Sequence, residues 1–129
     1  MKAKIFRYAA WSVLVFNLAV IAWGAYVRAS FSGDGCGTHW PTCRGEVIPI
    51  GVAAKTFVEF SHRASSGLAL LCIVALAIWA FFGFPRGHWV RRGAVYSVIF
   101  IFSEGIIGAG LVLFQLVTNN KSACRAVAL

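Results

Sequence analysis

Charge is what this chain has least of: 12% of its 129 residues are Asp, Glu, Lys or Arg, and only four of those are acidic. Soluble domains carry roughly a quarter charged residues. The shortage, with 60% hydrophobic residues and a mean hydropathy of +0.78, excludes an ordinary soluble domain. No Cys-X-X-Cys motif occurs, so the tight spacing that depresses a thiol pKa is missing. No basic groove interleaved with aromatics is present either, which argues against nucleic acid as a partner. Nor is any polar stretch long enough for a separate soluble domain, since the longest connection runs from Arg28 to about Thr56. What remains is an integral membrane protein.

Three apolar stretches, about 8–27, 65–84 and 94–117, supply the roughly 20 residues that a spanning helix needs. They predict an all-α, multi-pass domain covering 1–129 with one long loop at about 28–56. The first stretch follows Lys2, Lys4 and Arg7 as a signal peptide would, but its apolar core exceeds the roughly 7–15 residues of a signal. Trp11 and Trp23 stand near its ends as interfacial anchors, so a retained helix is expected. Basic residues give no orientation by number, because six lie on each side of the spans. Lys2, Lys4, Arg7, Arg86, Arg91 and Arg92 are the more densely packed set, which favours a cytoplasmic N-terminus. Cys36 and Cys43 share the long loop, and a paired disulfide persists in an oxidising compartment, so that loop is expected outside the cell's inner (plasma) membrane. The +8 net charge then reflects topology and contact with membrane lipid.

Three chemistries suit the loop cysteines: a disulfide staple, a redox-active pair, or a zinc site with His39 that lacks an evident fourth ligand. A staple closing this short ring is worth about 2.5 kcal/mol before strain. Cys72, among apolar neighbours, reads as a small core residue, and Cys124 has no evident partner.

Glu59 and His62 stand one helical turn apart where the loop meets the second apolar stretch, with Arg63 adjacent. Ionisable groups at a membrane-helix end are costly enough to ask for a function, and an imidazole beside a carboxylate points to a haem or metal site; a histidine hydrogen-bonded at an interface is the plain alternative. His88 lies in a short basic turn on the opposite side, where interfacial solvation accounts for it. In the third stretch Glu104, Gly108, Leu111 and Gln115 form a stripe whose small neighbours would admit another backbone or a flat ligand. On the first, Asn17, Gly24 and Arg28 share a face in a pattern that suits plain packing.

The run Val27-Arg28, Ser32-Gly33, Cys36, Trp40-Pro41, Cys43 and Gly45, followed by Glu59 and His62-Arg63, resembles the haem A synthase family, the CtaA and Cox15 proteins. Ser103-Glu104-Gly105-Ile106-Ile107-Gly108 is similar to the family's third-helix start, where Gln usually stands at the position of Glu104, and residues 121–129 resemble its approach to a fourth helix. The resemblance implies an oxidoreductase that converts haem O to haem A by oxidising a porphyrin methyl group to formyl. It implies His62 as an axial ligand of haem iron, Glu59 as the catalytic carboxylate, and Cys36 with Cys43 as a disulfide. His62, Arg63, Glu104 and Gly108 make up the cofactor-binding set, with haem O or haem b as the group bound.

The same resemblance implies four helices per half, the fourth carrying a second axial histidine. The expectation is therefore a truncated N-terminal half, three helices of an incomplete four-helix haem-binding bundle, whose second axial histidine comes from a homo-oligomer or a missing C-terminal half. Two other classes stay open. A quinone-linked disulfide-handling protein would need a second reactive cysteine pair, and a non-catalytic haem-binding or assembly subunit fits the short length.

Overall fold

In the computed structural model, residues 2–50 and 53–114 are described, and three helices carry most of them: α1 (Lys2–Ala29), α2 (Ala54–Gly83) and α3 (Trp89–Leu113). The shortest has 25 residues, about 37 Å of helix, against a hydrocarbon core of roughly 30 Å. All three are long and apolar enough to cross a membrane. The expected class holds, with no strand among the described residues beyond an isolated bridge between Cys43 and Glu46. This is a multi-pass membrane protein.

Every helix begins earlier than its apolar stretch: α1 at Lys2 instead of 8, α2 at Ala54 instead of 65, and α3 at Trp89 instead of 94. An apolar window stops where side chains cease to suit hydrocarbon, whereas a helix continues as long as its backbone can bond to itself. For α2 the earlier start at Ala54 gives Glu59, His62 and Arg63 the helical spacing expected of them, within its first turns. The expected end of the third stretch at 117, with Gln115, Cys124 and the segment 121–129, lies outside the described residues.

Local bonding sets the helix ends that frame the site. Beyond Ala29 the Phe31 N–H donates to the Arg28 carbonyl (3.2 Å) and the Ser32 N–H to the Val27 carbonyl (3.0 Å), a Schellman closure with Phe31 in the left-handed region at φ 52°. Arg28 in the last turn complements the negative end of the helix dipole. At the other connection, the His88 N–H reaches the Pro85 carbonyl across a turn that Gly87 makes at φ 85°. His88 then caps α3, its Nδ1 accepting from the Val90 N–H at 3.2 Å, which gives this residue a helix-starting role beyond interfacial solvation.

The described chain divides into two compact units. One joins the residues up to Ala22 with Ala64–Glu104. In it Phe6 meets Trp79 (5.4 Å between ring centres) and Phe84 (5.0 Å) edge-on, and the Arg91 guanidinium lies 4.6 Å over the Phe81 ring. Ala69, Ala77 and Ala80 are buried there, small side chains of the kind that lets helices approach closely. The other unit takes Trp23–Arg63 with the described residues from Gly105, and it holds the loop and the candidate site. Helix α3 buries none of its residues.

Candidate functional site

The loop after α1 turns at its tip through Arg44 and Gly45, both at positive φ (54° and 85°), between paired backbone bonds of 2.9 Å linking Cys43 and Glu46. Cys36 and Cys43 are joined as a disulfide and both are buried. The bond overturns the zinc reading, because thiolates are the zinc ligands and neither sulfur remains one. Burial of both cysteines also favours a staple over an exchanging redox pair.

The stapled loop is fastened to the start of α2 by buried polar groups. Gly35 offers its carbonyl to the Thr56 hydroxyl (2.9 Å) and to Arg44 Nε (3.1 Å), and the Cys36 N–H donates to Glu59 Oε2 (2.8 Å). Arg63 completes the set, donating from Nη1 to the carbonyls of His39 (2.6 Å) and Thr42 (3.0 Å) and from Nη2 to Glu59 Oε1. Glu59 precedes Arg63 by four residues, the favourable order for a helical ion pair, and both partners are largely sheltered from solvent. Such a buried pair is tolerable because both carboxylate oxygens and the guanidinium find hydrogen-bond partners. Gly35 is required by space, since a Cβ there would sit 2.6 Å from the backbone oxygen of Lys55.

One turn beyond Glu59, His62 is half-buried and its imidazole packs on Gly24 of α1. Beside it Trp23 Nε1 donates to Ser61 Oγ at 3.0 Å, and that hydroxyl donates onward to the Val58 carbonyl at 2.9 Å. The two residues singled out by spacing thus have different surroundings: Glu59 is held by the loop and Arg63, while His62 lies against α1.

Of the expected site set, Glu59, His62, Arg63, Cys36 and Cys43 come together at this end of α2. Glu104 and Gly108 are exposed on α3, Glu104 belongs to the other compact unit, and open space surrounds the position of a Cβ at Gly108. Cys72 is a free, half-buried thiol in α2. Sequence reasoning missed Gly35, Thr56 and Arg44 and read Gly24 as packing. Thr56 was open to discovery, as it stands one helical turn from Glu59 on the same helix. Which of the loop's glycines meets a backbone has no such signal.

The chain matches the sequence model of the COX15-CtaA family, described as cytochrome oxidase assembly protein, over residues 7–129. The chain belongs to the COX15-CtaA family. Among its relatives, the "Heme A synthase" of Exiguobacterium sp. is 43% identical over 76% of this chain and 33% of its own length, and that of Halalkalibacterium halodurans is 43% identical over 74% and 32%. A Thermus thermophilus protein named "Protoheme IX farnesyltransferase" is 52% identical over 92% of this chain and 19% of its own length. This COX15-CtaA chain therefore spans between a fifth and a third of these relatives. No solved structure matches it.

For a COX15-CtaA chain the group to test is haem. Porphyrin supplies most of the iron's ligands itself, so haem asks the protein for an axial side chain and not for a metal-binding cluster. The residues fit that demand on one side: His62 offers an imidazole at a sheltered helix end, on a floor that carries no side chain. Among the described residues no group of three or more His, Cys, Asp or Glu could hold a metal ion, so a bare ion is the poorer fit.

Proposed function

We propose that this chain is the N-terminal haem-handling part of a haem A synthase, a membrane oxidoreductase that converts haem O to haem A by oxidising a porphyrin methyl group to formyl. The observation that carries this reading is the placement of His62 one turn beyond a buried carboxylate that the stapled loop holds in place. When bound, haem would supply the redox chemistry; taking methyl to formyl exchanges two hydrogens for one oxygen atom, a four-electron oxidation whose electrons pass to an external oxidant. His62 would hold the haem iron through its imidazole, and the loop would shield that end of α2 from water. Glu59, with each oxygen already held by a donor, acts as a fixed negative charge that stabilises positive charge developing on the substrate in a low-dielectric site. Arg63 keeps Glu59 and the loop in register. A second histidine for the iron would come from a further segment or a second copy. The protein sits in the cell's inner membrane with its N-terminus cytoplasmic and the Cys36–Cys43 loop outside.

The name of the Thermus relative favours a second reading, prenyl transfer to protohaem. Ionising a prenyl diphosphate ordinarily calls for divalent cations held by carboxylates. Four acidic residues in the whole chain, one already engaged by Arg63, make that the poorer assignment. The test supplies haem O, and in a separate arm protohaem with farnesyl diphosphate, to membranes containing the protein and follows both products by mass. Formyl haem that falls at least tenfold in Glu59→Gln, with haem binding kept, supports the synthase reading. Farnesylated product from protohaem, or a formyl yield indifferent to Glu59, overturns it.

A further inference from the structure

Gly24 lies well inside α1, where glycine destabilises a helix relative to alanine. Its neighbourhood explains the choice. A Cβ at this position would stand 2.7 Å from Cε1, 3.0 Å from Nε2 and 3.5 Å from Nδ1 of His62, so the Cε1–Nε2 edge of the imidazole occupies the space that any other residue would fill. By contrast Gly67, inside α2, has nothing within 4 Å of the same point. The approach is held from the adjoining position, where the Trp23 indole bonds the Ser61 hydroxyl at 3.0 Å, so α1 cannot simply drift away from the ring.

We infer that Gly24 is the positioning residue of His62: the missing Cβ fixes the height and tilt of the imidazole, and with them the direction in which a ring nitrogen is presented to a ligand. The inference rests on reading His62 as a haem ligand, and it adds a residue of α1 to the site. The three atoms nearest a Cβ at 24 all belong to the far end of the His62 side chain, so Gly24→Ala is expected to turn the ring and leave the helices in place.

The experiment has a haem-free arm and a haem arm. In haem-free protein labelled at histidine, with His62→Ala assigning the signal, Gly24→Ala is expected to move the His62 imidazole resonances, while Gly67→Ala leaves them unchanged. Should Gly24→Ala lower thermal stability, the double variant Gly24→Ala/His62→Ala must recover it, because the ring is the obstacle. In the haem arm, Gly24→Ala is expected to weaken haem binding at least about tenfold, the scale of losing a residue that orients a ligating histidine. His62 resonances unmoved by Gly24→Ala, or a stability loss that persists without the ring, overturn the inference. Haem binding that survives His62→Ala overturns the ligand reading instead, and the haem-free arm still decides the role of Gly24.

Discussion

The loop-bound end of α2 and the aromatic cluster around Phe6 solve the same problem, holding helices together, by opposite means. Around Glu59 the contacts are directional: a backbone N–H, a guanidinium and a hydroxyl each meet a specific acceptor, and a disulfide closes the loop that supplies them. Around Phe6 the contacts are ring edges and buried alanines. Polar bonds sheltered from water are strong and specify one arrangement, but losing one partner leaves the other stranded. Apolar contacts degrade gradually. A functional site belongs with the first kind, where side chains must be held to within a fraction of an ångström.

The contrast can be broken by substitution, and the sharpest break is Glu59→Ala. It strands Arg63 Nη2 and the Cys36 N–H together, and should cost about 3–5 kcal/mol in unfolding measured in detergent. A loss below about 1 kcal/mol would place the pair with ordinary surface ion pairs and end the distinction. Next comes Gly35→Ala, whose Cβ meets the Lys55 carbonyl in a backbone that cannot rotate away. About 1–3 kcal/mol of destabilisation is expected, with faster proteolysis within residues 30–50 as the local readout. On the apolar side Phe6→Leu keeps the bulk and loses two edge-on ring contacts, so about 1 kcal/mol is expected in the same unfolding assay. If Phe6→Leu proved as damaging as Glu59→Ala, the two regions would not differ in kind.

The sequence announced the apolar half of this picture more fully than the polar half. Three spans follow from runs of side chains that suit hydrocarbon, and Glu59 with His62 stood out because ionisable groups are rare beside such runs. The start of α2 at Ala54 was hidden, since Lys55 and Thr56 read as loop residues until their partners are known. Those partners, the Cys36 N–H and the carbonyls of Gly35, His39 and Thr42, belong to the backbone, and backbone groups are alike at every position in a sequence. Likewise Gly24 and Gly67 are both helical glycines with small or apolar neighbours, and only the fold shows which one faces an imidazole.

The central claim, that the polar end is built to present His62 to haem, is tested most directly by titrating haem into the purified protein and following the Soret band. Wild type, His39→Ala and His88→Ala should give the same shifted band, because the His39 side chain is exposed on the loop and His88 caps α3. His62→Ala should lose it. A band that persists in His62→Ala, or that disappears in His39→Ala or His88→Ala, would contradict the account.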